Sequence, residues 1–314
     1  MDLSIIIVNW KSAGFVYRCV TSIFAGPPGP SLEVIVVDND SQDGCGEMLA
    51  REFPQVKFVP SGENLGFGRA NNLGFEHSQG RVLLFLNPDT EVKGPAIRVL
   101  FEQLERLPRA GAVGCRLLNG DGAIQTSAVQ SFPTILNQLL DSDLLRRLFP
   151  KSNFWGTAPL FSGRTEPSEV EAIEGACIMM RREVFQAIGQ FSTGYFMYTE
   201  DIDLCYKVRE KTWTNYYVPA ASIVHFGDGS VRGARTNFAV VMAVESLWRF
   251  FRKYRGAVYA NFYRGTLCLS AAARLALLSG RRLWPAAPRS DSTGKWSAIL
   301  RWTVGLESWS SKCR

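Results

Sequence analysis

Along residues 1–107 the apolar positions fall into short unbroken runs. "LSIIIVNW", "EVIVVDND", "VKFVP" and "RVLLFLN" are β-branched or aliphatic segments of strand length, each ending near an amide, an acid or a proline. Between them, residues 12–25, 44–53, 66–78 and 94–107 space their apolar positions as helices do. This alternation predicts an α/β fold with a parallel sheet flanked by helices on both faces, since parallel strands need crossovers that then cover the sheet. Ligands of such sheets bind beyond the carboxyl ends of the strands. Asn9, Asp38 to Asp40 and Asn87 to Asp89 are therefore the first candidates.

Residues 118–168 loosen into Gly, Ser and Pro, predicting long loops with one helix near 135–149; loops of that length are usually functional. Regular structure resumes in "EVEAIEGACIMMRREVFQAIGQF", a strand pair leading into a helix. It continues through a helix at "DIDLCYKVREK" and a strand at "NYYVPAASIVHF". From about 236 the pattern is helical. Two parts are expected, an α/β domain over 1–235 and a helical, basic extension over 236–314.

Composition changes this picture in one respect. The 314 residues, 46% hydrophobic and 20% charged, are ordinary for a globular chain, and the net charge of +6 is modest. The basic residues, however, crowd the extension, in "RFFRKYRG" and "GRRLWP", which favours an anionic surface or ligand. Seven cysteines without a CxxC pair predict reduced thiols in a cytoplasmic protein. "MDLSIIIVNW" lacks a basic leader and reads as a first strand. The most apolar stretch, "GTLCLSAAARLALLSG", is interrupted by Arg274, so no spanning helix is expected.

Four motifs can carry chemistry. Asp38 in "VIVVDND" is a turn former or an acceptor for a nucleobase or ribose. "ENLGFGRANNLG" has neither GxGxxG nor GxxxxGK[ST] spacing. Its amides and Arg69 can still hold a diphosphate, or simply cap a helix. "YTEDIDLCYKV" puts Glu200, Asp201 and Asp203 in a first helical turn, where each acid gains roughly 0.3–1 kcal/mol from the dipole. Beside the aromatics of "GYFMYTED" one of them is a candidate general base. "SIVHFGDGS" ends a strand on His225 before Gly227 and Gly229. His77 reads as structural. In "LLFLNPDT", Asp89 is a turn former, a cap or a ligand for a hard cation.

Together and in this order these stretches, with "EGACIMMRREVF" and "GQFSTGYFMYTEDIDL", resemble family 2 glycosyltransferases of the GT-A fold, and most of all their bacterial rhamnosyltransferase-like branch. The resemblance covers roughly residues 3–235 and implies a mixed, mostly parallel α/β sheet flanked by helices, with a helical C-terminal extension. It implies an inverting transferase that moves a sugar, such as rhamnose or another hexose or deoxyhexose, from a nucleotide-diphosphate sugar to a glycan or polyprenyl-linked acceptor in cell-surface polysaccharide synthesis. By position, Asp38 resembles the base-recognising acid, with Val8 and Asn9 lining the same pocket. Asn64, Gly66, Arg69 and Asn71 fall in the nucleotide-holding loop, and Arg232, with Arg235, in a loop that closes over the diphosphate. Asn87-Pro88-Asp89 replaces the DxD motif, so that Asp89 and His225 are the implied ligands of a divalent cation, Mg²⁺ or Mn²⁺. Asp201 matches the catalytic base, and Glu200, Tyr198 and Gly175 fall on the acceptor side.

Two departures stand out. Ser192 and Thr193 occupy places where two acids are usual, and Asn87 cannot supply a carboxylate. Nucleotidyl transfer and a catalytically silent binding module are the alternatives, and no nucleic-acid partner is expected. The extension, with Arg249, Arg252, Lys253, Arg255 and Arg264 among Trp and Phe, either lies peripherally on the inner face of a membrane or packs on the catalytic domain with its cations solvated.

Overall fold

The computed structural model describes residues 1–140, 166–227, 237–281 and 292–307. Its framework is a nine-stranded sheet. The first four strands are β1 (Leu3–Asn9), β2 (Leu32–Asp38), β3 (Lys57–Pro60) and β4 (Val82–Leu86). They alternate with α1 (Ala13–Phe24), α2 (Cys45–Glu52) and α3 (Phe67–Glu76). All residues of β1 and β4 are buried, as strands covered on both faces must be. In α1 the buried positions Val16, Cys19, Val20 and Ile23 form one stripe against the sheet.

The remaining strands are β5 (Thr90–Val92), β6 (Ala110–Leu118), β8 (Ser168–Val170), β10 (Cys177–Arg181) and β11 (Thr214–His225); β7 (Val129–Gln130) and β9 (Ala172–Ile173) form a separate pair. Strand order is β3-β2-β1-β4-β10-β6-β11-β5, with β8 also on β11. Strands β1 to β4 are parallel, whereas β10 runs antiparallel to both β4 and β6. The sheet is thus mixed but mostly parallel where the first candidates lie. Register fixes two encounters: Asn9 lies opposite Asp38, and His225 lies opposite Thr90, next to Asp89.

Strand β6 is absent from the sequence reading. Gly111 and Gly114 dilute its apolar pattern, yet a Cβ at Gly114 would collide with the Ile173 side chain, so close packing dictates glycine there. The helix expected over 135–149 is described as α5 (Ile135–Leu140), and the rest of that expectation lies outside the described residues.

The other described α-helices are α4 (Ala96–Arg106), α6 (Arg182–Ala187), α7 (Glu200–Glu210) and, in the extension, α8 (Asn237–Arg281), with α9 (Ser292–Thr303) packed on α8. Gly256, at φ 85° and ψ 169°, breaks α8 into two segments. A second hydrophobic core forms where Phe250, Phe251, Tyr263 and Trp302 of the extension meet Ile135 and Tyr195 of the preceding chain. The first segment of α8 is therefore packed on the sheet domain. Its cations are not all solvated, because Lys253 pairs with Asp203 at 2.7 Å and Arg249 with Glu245 at 2.9 Å. Among the described residues no helix is long and apolar enough to cross a membrane.

Phe251→Ala empties a fully buried ring position in this second core. It should lower stability by about 3–5 kcal/mol, read as a shift in the denaturant midpoint.

Candidate active site

Asp38 closes β2 and is held from two sides. Asn9 donates its amide to Asp38 Oδ1 at 2.7 Å, and the Ser41 backbone N–H donates to Oδ2 at 3.0 Å. The same Asn9 amide lies 3.1 Å from Ser41 Oγ and 3.2 Å from Asp43. A carboxylate so restrained cannot swing away, and Val8, buried just before Asn9, supports it from β1. The mouth of a cleft of about 700 Å³ reaches Asp38 and runs along α2 to Phe58.

The loop before α3 is shaped by local bonds. Asn64 Oδ1 accepts from the Gly66 N–H at 3.0 Å, an Asx-type turn. Gly66 has φ 76°, and a Cβ there would collide with the Phe196 carbonyl, to which Phe67 N–H donates. Glycine is thus required twice over, by conformation and by contact. Arg69 is half exposed and lies 3.4 Å from Glu63, leaving its guanidinium near the loop. Asn71 is buried and donates to the Phe67 carbonyl at 3.0 Å, inside α3. Arg232 and Arg235 lie outside the described residues, as do Gly229 and Ser230.

At the ends of β4 and β11, Asp89 Oδ1 and His225 Nε2 are 3.5 Å apart. Gln125 fixes the ring. Its amide nitrogen donates to the His225 carbonyl at 2.6 Å and to Asn119 Oδ1 at 2.8 Å, so its oxygen, 3.0 Å from Nδ1, must accept the ring proton. In the neutral ring Nε2 then turns a lone pair towards a carboxylate, an arrangement that needs a positive charge between or upon them. Burial opposes protonation, but the Asp89 hydrogen bond and charge, with Glu174, outweigh it and raise the His225 pKa. A cation would satisfy the pair equally well. The separation is near the roughly 3 Å between adjacent ligands of an octahedral ion, and Asn87 Oδ1, buried without a hydrogen-bond partner among the described residues, lies in the same turn. Oxygen and imidazole donors of this kind suit Mg²⁺ or Mn²⁺. Among the described residues no three His, Cys, Asp or Glu side chains enclose a metal, so other ligands would have to come from what binds.

The third element is the start of α7. Tyr198 and Thr199 both have φ 69°, two successive left-handed residues that turn the chain sharply into Glu200. Asp201 accepts at Oδ2 from the Gly175 N–H, 2.9 Å, and at Oδ1 from the Ile202 N–H, 2.8 Å. A Cβ on Gly175 would stand 3.2 Å from Asp201 Cβ, so the small residue permits this approach. Burial nevertheless lifts Asp201 to about 6, against those hydrogen bonds. Burial, then the charge of Asp201, lifts Glu200 to about 8, and Glu200 Oε2 has no hydrogen-bond partner among the described residues. Adjacent carboxyls with unequal protonation are the arrangement expected of an acid–base site.

Sequence reasoning missed the residue that links these elements. Glu174 lies 3.8 Å from His225 Nδ1, Gly175 binds Asp201, and the Ala176 carbonyl accepts from Asn87 N–H at 3.0 Å. Glu174 is a lone acid between two strands; only the register of β10 on β4 reveals its neighbours. Gln125 was missed because it comes from the loosely patterned stretch. Asp203 is fully buried and accepts from Ser192, 2.6 Å, Tyr195, 3.0 Å, Lys253, 2.7 Å, and Tyr254, 2.9 Å, with Lys207 at 3.7 Å. Ser192 therefore serves the Asp203 network, which accounts for a hydroxyl in place of an acid.

A raised Glu200 pKa has a defined sign in stability. Between the unfolded value near about 4.3 and the folded value of about 8 the folded state holds the extra proton, so stability falls as pH rises. Glu200→Gln cannot lose that proton. The stability of the variant relative to the parent should therefore increase from acid to mildly alkaline pH, by at most about 1.4 kcal/mol per unit, in denaturant titrations repeated across that range.

Comparison with known proteins identifies the family and the fold. The family model for glycosyl transferase family 2 matches residues 4–189. An N-acetylglucosaminyl-diphospho-decaprenol L-rhamnosyltransferase of Mycobacterium tuberculosis is 31% identical over 236 residues, covering 71% of this chain and 75% of that relative. Rhamnosyltransferase WbbL of Escherichia coli is 25% identical over 240 residues, covering 73% and 86%. Two solved structures share the fold. The mannosyltransferase PcManGT from Pyrobaculum calidifontis, in complex with GDP-Man and Mn²⁺, superposes with a TM-score of 0.57 at 18% identity, over 96% of this chain and 86% of that one. GalNAc-T7 with UDP, GalNAc and Mn²⁺ gives 0.60 at 15% identity, over 97% of this chain and 56% of that one. The fold is GT-A, and the chain is a glycosyltransferase that belongs to glycosyl transferase family 2.

Proposed function

We propose that the chain transfers rhamnose, or a closely related deoxyhexose, from its nucleotide diphosphate to a polyprenyl-diphosphate-linked glycan, with inversion, in cell-surface polysaccharide synthesis. The observation that carries this reading is the Glu174-Gly175-Ala176 segment, which holds the Asp89–His225 pair and the Asp201 carboxylate on either side of one short stretch of backbone. A donor diphosphate at the first and an acceptor hydroxyl at the second would meet across it. The rhamnosyltransferase relatives supply the sugar class and the lipid-linked acceptor.

Each residue then has a task. Asp38, held by Asn9, takes a hydrogen bond from the base or ribose; the amides of the Asn64–Gly66 turn and Arg69 border the nucleotide. Asp89 and His225 would hold Mg²⁺ or Mn²⁺, which when bound neutralises charge on the departing diphosphate. The acceptor oxygen forms its bond to the anomeric carbon as the bond to the nucleoside diphosphate breaks, and its proton passes to Asp201. A base lifted to about 6 by burial is ionised at neutral pH and still basic enough to take it. Glu200, Tyr198 and Gly175 shape the acceptor side, and Arg232 comes from the stretch that follows His225. Residues 1–235 carry the chemistry, residues 236–314 form the extension, and the chain works at the cytoplasmic face of a membrane where such an acceptor resides.

Incubation with a panel of nucleotide sugars, Mn²⁺ or Mg²⁺ and a polyprenyl-diphosphate-sugar acceptor tests the reading. Nucleoside diphosphate should be released with a nucleotide-diphosphate rhamnose from the panel; pyrophosphate release from a nucleoside triphosphate would instead indicate nucleotidyl transfer. Asp201→Asn should keep donor binding, measured calorimetrically, while transfer falls by roughly 10²–10⁴-fold; equal loss of both would sink the base assignment. Asp89→Asn should abolish the metal dependence of donor binding, and unchanged dependence would place the ligand elsewhere.

A further inference from the structure

The basic amphipathic stretch that the sequence offers either to a membrane or to the catalytic domain spans the Gly256 break, and its part before the break is committed to protein contacts. The exposed apolar side chains lie after the Gly256 break. Val258 is 87% exposed, Phe262 64%, Leu269 74% and Leu277 71%. Their spacing, i, i+4, i+11 and i+19, confines them to roughly 100° of a helix surface, with exposed Ala273 and Ala276 in the same arc. A stripe of large apolar side chains facing solvent is costly unless something covers it.

Charge decides what that cover is. From Ser246 to Ser290 the sequence contains nine Arg and Lys and no Asp or Glu. Lys253 is neutralised by Asp203, and Arg249 by Glu245. Arg264 donates to the carbonyls of Trp302 and Thr303 at the end of α9. Arg252 and Arg255 remain exposed. A second copy docked through this face would bring like charges together, whereas an anionic lipid surface would attract them and accept the apolar stripe.

We propose that Val258, Phe262, Leu269 and Leu277 insert into the interfacial layer of an anionic bilayer, with the second segment of α8 lying along the membrane. This deepens the lipid-linked-acceptor reading and rests on it for the identity of the membrane's role. Lys253 and Tyr254, which bind Asp203 on the helix that carries Asp201, lie just before the Gly256 break and Val258 just after it. The stripe thus starts close to the helix that carries the base, and docking would hold that helix near the lipid headgroups.

The test uses the full chain with neither donor nor acceptor. Vesicles of phosphatidylcholine, and the same vesicles doped with phosphatidylglycerol, are sedimented with the protein. It should pellet with the doped vesicles, less so as salt rises. Phe262→Ser combined with Leu269→Ser should weaken binding by about tenfold or more, with an unchanged thermal melt and unchanged sugar transfer in detergent. Arg252→Glu combined with Arg255→Glu should remove the preference for doped vesicles. Failure of the parent chain to pellet, or equal pelleting of the double serine variant, would overturn the proposal. So would a lipid-free dimer that this variant converts to monomer, because the stripe would then be a self-association face. Vesicle binding without sugar transfer to any acceptor would sink the functional reading and leave the surface standing; transfer without vesicle binding would do the reverse.

Discussion

The site depends on a backbone that must serve three neighbours at once. Glu174, Gly175 and Ala176 lie between β9 and β10, and each makes one bond or close contact that another element needs: His225, Asp201 and Asn87. A segment tied down this way has little freedom to relax. The separation between the Asp89–His225 pair and Asp201 is then set by peptide geometry, which is stiffer than any pair of long side chains could be. The direct displacement proposed above needs nucleophile and leaving group held in line, and a rigid spacer of this kind would serve it without a covalent intermediate.

Electrostatics reinforces the division. On one side, Asp89 and the Gln125-oriented His225 favour a positive charge between or upon them. On the other, burial withholds full ionisation from the Glu200–Asp201 pair. The α7 helix bearing that pair is anchored from below by Asp203, whose donors come from the preceding loop and from α8. The extension is therefore continuous with the site in its bonding, although its own core is separate from that of the sheet.

Much of this was legible in the sequence, for a physical reason. Buried parallel strands must be apolar along their length, so β1, β2 and β4 announce themselves, and the polar residues at their ends, Asn9, Asp38 and Asp89, follow directly. His225 stood out because it ends a well-patterned strand, and Glu200, Asp201 and Asp203 because they begin a well-patterned helix, with only the family resemblance choosing Asp201 among the three. What stayed hidden depends on contacts between residues remote in sequence. Gln125 and His225 are a hundred positions apart, Glu174 reads as an ordinary acid in a turn, and β6 loses its pattern to glycines that packing demands. The pairing of Lys253 stayed hidden for the same cause: a Lys on an amphipathic helix looks solvated until its partner, fifty positions earlier, is placed.

That partner makes the tail hard to exchange. Asp203 gathers Ser192, Tyr195 and Lys207 from the sheet domain and Lys253 and Tyr254 from α8, so its charge is balanced by two regions of the chain jointly. A chimera that grafts another enzyme's C-terminal helices onto this domain inherits a buried anion with half its donors missing. Recombination at the apparent seam near residue 236 is consequently not modular: Ser192, Tyr195, Asp203, Lys253 and Tyr254 have to travel together, and lineages that shuffle such tails would be expected to change all five in step.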